Sequence, residues 1–195
     1  PTLIKEVSNN YTKSVIVLTI HQGNWEWMLH AASLALKTPI DPVYKPLRNQ
    51  SADKVAYNLR ARFGSRPIKA EDSTKDIIKR RKEFRLFAMI ADQSPSPRSR
   101  CIRLPFFNRE VPFYLGGEVI AKMTNFSVVF AQCHRRHLGY YEIEFIEIAR
   151  PPYIKASNFI SQEYVRLTEA AIKSDPSAWL WSNRRWKHAE TTDSN

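Results

Sequence analysis

The segment KSVIVLTIHQGNWEWMLHAASLALK (residues 13–37) decides the fold class. Residues 13–20 form a continuous run of mostly apolar and β-branched side chains, which is typical of a strand buried on both faces of a sheet. Residues 24–37 carry apolar side chains at helical spacing, namely Trp27, Met28, Ala31, Leu34 and Ala35. A strand followed directly by a helix predicts a βα unit with His21 in the connecting loop.

The same alternation continues along the chain. Helices are predicted at residues 51–64, 73–84, 114–125 and 158–175, and strands at residues 85–92, 126–136 and 140–148, with an extended piece at 41–46. Because strands and helices alternate over the first 130 residues, we expect an α/β fold with a mixed central sheet flanked by helices. The basic run KRRKEFR (79–85) is predicted to be a solvated helix face.

Length and composition are those of one globular domain, so residues 1–195 are predicted to form a single domain. Cys101 and Cys133 are too few for a disulfide framework and have no metal-ligand spacing. The formal net charge is +11, which favours a polyanionic partner: nucleic acid, anionic lipid headgroups, a phosphorylated substrate or an acidic carrier protein.

Two candidate site residues lie in the stretch HQGNWE (21–26). His21 follows the first strand, and Glu26 falls in the first turn of the next helix. A carboxylate there could accept the ring N–H of the histidine and leave the other nitrogen as a general base. The alternative is a histidine satisfied within the core and a carboxylate favoured by the start of a helix.

Asp92 ends the predicted strand 85–92, as His21 follows the strand 13–20. Ligands of open α/β sheets gather beyond the carboxyl ends of the strands, so we expect both residues at that edge. Asp92 could instead cap a turn.

Six stretches resemble, in the same order, the motifs of one enzyme family: HQGNWE (21–26), VYKPLRN (43–49), NLRARFG (58–64), MIADQSP (89–95), LPFFN (104–108) and AWLWSNRRWK (178–187). The family is that of the lipid A biosynthesis acyltransferases that add a lauroyl or myristoyl chain, within the glycerolipid acyltransferase superfamily. The resemblance implies a glycerolipid-acyltransferase-like fold and an acyltransferase activity.

The resemblance also implies a reaction and its partners. His21 would be the general base and Glu26 its partner, in direct acyl transfer to a hydroxyl of a phosphorylated glucosamine lipid. The co-substrate would be acyl-acyl carrier protein or acyl-CoA, with no cofactor and no metal. The partners would be the carrier protein, the phosphorylated glycolipid acceptor and an anionic membrane surface, at the cytoplasmic face of the bacterial inner membrane.

Seven further residues are implied as substrate-binding: Asn24, Lys45, Arg60, Asp92, Gln93, Arg184 and Arg185. Arg184 and Arg185 are expected near phosphate. Lys45, Arg60 and the other basic positions could equally be solvated surface charge. Core packing is the simplest expectation for Trp179 and Trp181 in the same aromatic-basic tail.

The chain departs from the family pattern at Asn108, where glycine is usual, and at Asn183, where histidine is usual. The N-terminal membrane-anchoring segment of the family is also expected to be missing from this sequence. The same chemistry on a lysophospholipid, an amino-acid lipid or a glycosylated phosphoinositide therefore stays open. A basic nucleic-acid-binding module is a second alternative, but no helix-turn-helix, zinc or aromatic RNA-binding signature supports it, and no nucleic acid is expected.

Overall fold

The computed structural model describes residues 2–96 and 99–187. Its helices are α1 (Thr2–Val7), α2 (Trp25–Leu36), α3 (Gln50–Ala61), α4 (Ser73–Lys79), α5 (Gly116–Thr124) and α6 (Phe159–Ser174). Its strands are β1 (Val15–Thr19), β2 (Ile40–Tyr44), β3 (Ile68–Lys69), β4 (Leu86–Ile90), β5 (Cys101–Phe106), β6 (Arg109–Tyr114), β7 (Ser127–His137) and β8 (Tyr140–Ala149). Two 3-10 turns cover Ala70–Asp72 and Pro176–Ala178.

Six strands form the central sheet in the order β3-β2-β4-β1-β7-β8. All neighbours are parallel except β7 and β8, which are antiparallel. This sheet, flanked by helices, confirms the predicted α/β fold. Strand β1 is internal and all five of its residues are buried, as its continuous apolar run predicts.

Alternate residues of β1 supply the two halves of the core. Ile16 and Leu18 pack with residues of α5 and α6 on one face, and Val15 and Val17 pack with residues of α1 and α2 on the other. This follows from the two-residue period of a strand, which sends successive side chains to opposite faces. The carboxyl end of β1, where the loop with His21 begins, is therefore held from both sides.

The basic run at residues 79–85 differs from its prediction. Helix α4 ends at Lys79, and the guanidinium groups of Arg80 and Arg85 are buried around Asp41, a fully buried residue of β2. Arg80 Nη1 lies 2.5 Å and Arg85 Nε lies 2.8 Å from Asp41 Oδ2. A buried carboxylate needs such partners, so two charges of the run serve the fold rather than face the solvent.

Strands β5 and β6 form a separate antiparallel hairpin beside the sheet. The hairpin contributes Leu104, Phe106, Val111 and Phe113 to the core. Within residues 2–96 and 99–187, no helix has both the length and the apolar character needed to cross a bilayer.

Candidate active site

The register of β1 and β4 brings His21 and Asp92 together. The two strands are parallel neighbours, and Thr19 pairs with Ile90 at their carboxyl ends. His21 and Asp92 each follow two residues later, so they leave the sheet side by side. The prediction that both lie at this edge is confirmed.

The carboxylate of Asp92 holds the His21 ring. His21 Nδ1 lies 2.7 Å from Asp92 Oδ1. The other oxygen, Oδ2, accepts the backbone N–H of His21 at 3.0 Å and the indole N–H of Trp179 at 2.8 Å. Asp92 is only 2% exposed. Because an ionised carboxylate only accepts hydrogen bonds, this arrangement places the ring proton on Nδ1 and leaves the lone pair on Nε2.

The Nε2 atom of the ring has a much longer contact than Nδ1. The His21 side chain keeps 17% of its surface exposed. The amide nitrogen of Gln93 lies 3.5 Å from Nε2, and the Trp25 ring meets the imidazole edge-on at 5.2 Å between centroids. A hydroxyl that replaced the long contact with Gln93 would meet an unprotonated nitrogen.

The loop after β1 is fastened to α6 and to the residues that follow it. Gly23 N–H donates to the Ala178 carbonyl and Leu180 N–H donates to the His21 carbonyl, both at 2.9 Å. The side-chain amide of Gln22 donates to the Ala171 carbonyl at 2.8 Å. These bonds fix the backbone on both sides of the imidazole.

Gly23 adopts a left-handed conformation with φ of 59°. A Cβ at this position would lie 3.1 Å from the sulfur of Cys133. Glycine therefore avoids both backbone strain and a tight contact. Burial raises the pKa of the Cys133 thiol, which favours the protonated sulfur beneath the loop.

Glu26 has a different partner from the one that its sequence position predicts. The Nη2 atom of Arg60 lies 2.5 Å from Glu26 Oε1 and its Nε lies 3.1 Å from Oε2, a two-point ion pair between α2 and α3. Asp92 has the contact with His21 that we expected for Glu26. The reason is geometric: β4 ends beside β1, whereas the first turn of α2 directs Glu26 towards α3.

Arg60 is held in place from two sides. The Glu26 carboxylate raises the pKa of Arg60, chiefly through the side-chain hydrogen bond. The guanidinium carbon also lies 5.6 Å from the centre of the Tyr44 ring, at the end of β2. Arg60 is thus a fixed cation at the same edge of the sheet as His21.

Three other predicted site residues have simpler surroundings. Asn24 is the N-cap of α2, and its side chain accepts the backbone N–H of Trp27 at 3.2 Å. Lys45 directly follows β2 and is exposed, and Arg184 is also exposed. Both lysine and arginine are open to solvent-borne anions.

Arg185 lies in the core and not on the surface expected for a phosphate contact. It is 0% exposed, its Nη2 donates to the Pro112 carbonyl at 2.8 Å, and its guanidinium carbon lies 3.9 Å from the centre of the Phe113 ring. Burial lowers its pKa to about 10. The planar guanidinium stacks on its aromatic neighbours. The prediction that Arg185 lies near phosphate is therefore wrong.

Sequence reasoning missed the roles of Trp179, Tyr44 and Gln22. Trp179 is buried, as core packing predicts, and its indole N–H also binds Asp92. The same prediction is wrong for Trp181, which is 51% exposed. Tyr44 and Gln22 both lie within quoted motifs, and both are buried at the ends of β2 and β1. The available signal was position, because both residues lie at or just after the end of a predicted strand, where open α/β sheets gather functional groups.

The parts together are suited to acid–base chemistry on a bound hydroxyl. The imidazole is oriented through Nδ1, and the first turn of α2 follows a few residues later in the chain. The first N–H groups of a helix lack partners within it and can stabilise an oxyanion. Within residues 2–96 and 99–187, no group of three or more His, Cys, Asp or Glu side chains is placed to hold a metal ion.

Comparison with known protein families agrees with the chemistry to which this site is suited. The family profile described as "Bacterial lipid A biosynthesis acyltransferase" matches residues 4–188, almost the whole chain. A comparison with individual curated proteins found no significant match. The chain therefore belongs to the bacterial lipid A biosynthesis acyltransferase family and is an acyltransferase of that lipid class.

Proposed function

We propose that the protein transfers a fatty acyl chain from acyl-acyl carrier protein to a hydroxyl group of a lipid A precursor, with His21 as general base and Asp92 as its partner. The observation that carries this proposal is the 2.7 Å contact between His21 Nδ1 and Asp92, which leaves Nε2 free to take a proton. The family match supports the reaction class.

The first step forms the carbon–oxygen bond. The acceptor hydroxyl binds at Nε2 of His21 in place of the distant Gln93 amide, and its oxygen attacks the thioester carbonyl while its proton moves to Nε2. Asp92 stabilises the imidazolium that forms. Such an acid–base pair contributes on the order of 10² to 10⁴ in rate.

The second step breaks the carbon–sulfur bond. Backbone N–H groups at the start of α2 stabilise the oxyanion, and Gln93 is a further side-chain donor beside it. When the tetrahedral intermediate collapses, the thiolate leaves and takes the proton from His21 Nε2. The enzyme returns to its starting state without a covalent intermediate, a cofactor or a metal, and the acyl thioester is the only co-substrate.

Glu26 acts in this mechanism through Arg60. The carboxylate holds the guanidinium over Tyr44, and the remaining N–H groups of Arg60 bind an anionic group of a substrate. Lys45 and Arg184, both exposed, are further cations for phosphate groups of the acceptor. Glu26 is in this account a positioning residue.

Charge supports the proposed reaction partners and an anionic membrane surface as the place of action. Acyl carrier protein and a phosphorylated glycolipid are both acidic, and the chain has a formal net charge of +11. We place the enzyme at the cytoplasmic face of the bacterial inner membrane, where its lipid acceptor lies at an anionic surface.

The test is transfer of a labelled acyl chain in detergent from acyl carrier protein or coenzyme A. The acceptors are a tetra-acylated lipid A precursor, a lysophospholipid and a glycosylated phosphoinositide. His21→Ala is expected to lower transfer on the order of 10²- to 10⁴-fold. The matched control is His134→Ala, because His134 also pairs with a carboxylate, Glu144 at 3.1 Å, but lies half-buried on β7, away from His21.

Each outcome decides one part of the proposal. Preference for the lipid A precursor supports the acceptor, whereas preference for another lipid keeps the chemistry and corrects the substrate. If His21→Ala retained activity within a few-fold of His134→Ala, the general-base assignment would be wrong.

A further inference from the structure

Helix α2 has an apolar stripe on its outer side. Met28, Leu29 and Ala32 face the core, whereas Trp27 is 68% exposed and Leu34 is 58% exposed. Residues seven apart lie on the same side of a helix, so these two side chains form one outward row. The sequence placed them on an apolar helical face, and the structure leaves that part of the face uncovered.

Helix α3 adds a second apolar stripe. It has no buried residue at all, although it is 12 residues long. Val55 is 59% exposed and Leu59, one turn later, is 54% exposed. Leu47, in the connection that leads to α3, is also exposed. A helix with an apolar row and no buried residue is unusual for a surface that meets only water.

The two stripes belong to helices that touch each other. Glu26 and Arg60 form the ion pair between them, and the rings of His30 and Phe63 meet edge-on at 5.3 Å. We call the exposed apolar set on this side the α2–α3 face; its members are Trp27, Leu34, Leu47, Val55 and Leu59. The Glu26–Arg60 pair of the active site lies in the contact between the same helices.

The charges around the α2–α3 face are almost all positive. The exposed basic residues here are Lys37, Lys45, Arg48, Lys54 and Arg62. From residue 27 to residue 62 the acidic residues are Asp41 and Asp53. Asp41 is fully buried with Arg80 and Arg85, and the Asp53 carboxylate accepts the backbone N–H of Leu47 at 2.8 Å. Asp53 keeps its negative charge and Glu26 is paired with Arg60, so the five exposed basic residues leave this surface with a net positive charge.

We propose that the α2–α3 face docks on an anionic lipid bilayer, with Trp27 and the aliphatic side chains among the headgroups and the basic residues on lipid phosphate. Exposed tryptophan, an amphipathic helix and flanking lysine and arginine are the features of an interfacial binding surface. An acidic protein could also satisfy the basic residues, but a strongly exposed tryptophan beside two apolar helical rows favours the bilayer.

This inference rests on the proposed function and adds a route for its substrate. A bilayer against α2 and α3 brings lipid headgroups to the side where Glu26 and Arg60 meet. The acceptor could then reach Arg60 without leaving the interface. The rest of the surface stays available to a water-soluble acyl donor.

Vesicle binding of the full chain tests the surface. The probes are phosphatidylcholine vesicles with or without 30% phosphatidylglycerol, and the variant is Val55→Asp with Leu59→Asp. The matched control is Leu138→Asp with Ile154→Asp, because these side chains are even more exposed, at 82% and 75%, and lie elsewhere. We expect the α3 variant to bind anionic vesicles at least tenfold more weakly, and the control to bind like the wild type.

A second measurement holds even if the α3 variant fails to fold. Vesicles with brominated acyl chains should quench part of the tryptophan fluorescence of the wild type, and Trp27→Phe should remove that quenched part. Equal vesicle binding by the α3 variant and the control, or quenching unchanged in Trp27→Phe, would overturn the proposal. A raised KM for acyl carrier protein with unchanged vesicle binding would also overturn it and assign the face to the donor.

Transfer in detergent separates this inference from the proposed function. We expect the α3 variant to keep its detergent activity and to lose activity towards acceptor presented in vesicles. If the wild type bound vesicles through this face but transferred no acyl chain in detergent, the function would fail and the docking surface would stand.

Discussion

Two carboxylate–base pairs lie at the same edge of the sheet, and they differ in almost every physical respect. Asp92 is nearly inaccessible and accepts three hydrogen bonds, from the His21 ring, the His21 backbone and Trp179. The Glu26 side chain is 44% exposed and is paired with Arg60 on the neighbouring helix. The first pair is fixed by the sheet, whereas the second joins two helices at the surface.

Because they differ in burial and in partners, the two carboxylates are suited to different roles. A buried acceptor with three donors can change neither its position nor its partner without leaving a donor unpaired, which suits the orientation of a catalytic base. A half-exposed ion pair has weaker constraints and lies where a ligand can reach it. We therefore propose that Asp92 serves proton transfer and that Glu26 serves binding through Arg60.

The largest predicted effect is that of Asp92→Asn. Two N–H groups point at the Oδ2 position, so the oxygen of the asparagine must face them and its NH₂ group must face His21 Nδ1. The ring is then protonated on Nε2 and has no lone pair for the hydroxyl. We expect kcat to fall on the order of 10³- to 10⁴-fold, as for the comparable change in serine proteases.

The control for this variant is its own stability and lipid binding. Every hydrogen bond to Oδ2 is kept, so the thermal unfolding midpoint and the vesicle affinity should stay close to those of the wild type. A loss of less than tenfold in kcat would show that Asp92 does not set the tautomer of His21.

Glu26→Gln has the next largest predicted effect, and it acts on a different parameter. Arg60 keeps its charge but loses the carboxylate that holds it, so its guanidinium should sample other positions. We expect KM for the acceptor to rise about tenfold and kcat to change less, because the lost interaction concerns binding. The measurement is steady-state kinetics in detergent over a pH range.

The pH profile decides between the two carboxylates. If Glu26 oriented His21, as its spacing in the sequence suggests, Glu26→Gln would lower kcat and shift the acid limb of the profile. If it acts through Arg60, the limb stays in place and only KM moves. Arg60→Lys should reproduce the KM change, since an ammonium cannot form the same two-point contact.

Much of this site was accessible from the sequence because strand ends are easy to recognise. The apolar runs of β1 and β4 predicted their carboxyl ends, and the rule for open α/β sheets placed His21 and Asp92 there. The choice of Glu26 as partner came from proximity along the chain. A spacing of four residues does not show which way Glu26 points from the first turn of α2. The register of two parallel strands does show which residues lie side by side at their ends.

Other features depended on packing that no local pattern contains. An arginine in a basic tail is expected at the surface, where it can meet solvent or phosphate. Arg185 is instead enclosed by aromatic rings of the hairpin β5–β6. The hairpin itself was not predicted, because Pro105 and Pro112 interrupt its strands and proline disfavours a strand assignment. The hydrogen bond between Trp179 and Asp92 is also a long-range contact, so no local sequence pattern predicts it.

Trp179→Phe has the smallest predicted effect and tests how far the rigidity of the first pair matters. The ring still fills its place in the core, but Asp92 Oδ2 loses one of its two donors. A hydrogen bond to a charged group contributes about 1.5 to 3 kcal/mol, and its loss lets the carboxylate move away from the position that orients the ring, so we expect kcat to fall roughly fivefold through lost orientation.

The sign of the accompanying pH change follows from the charge on Asp92. With one donor fewer, the carboxylate is more negative towards His21 and stabilises the imidazolium. A general base must be neutral to act, so the acid limb of kcat/KM should move to higher pH. The other groups around the pair are unchanged in the variant: Arg185 and Tyr164, which interact electrostatically with Asp92, together with Gln93, Trp25 and Glu26. A fall in kcat without this shift would mean that Trp179 contributes packing but no electrostatic effect on Asp92. The His21–Asp92 pair would then differ from the Glu26–Arg60 pair by burial alone.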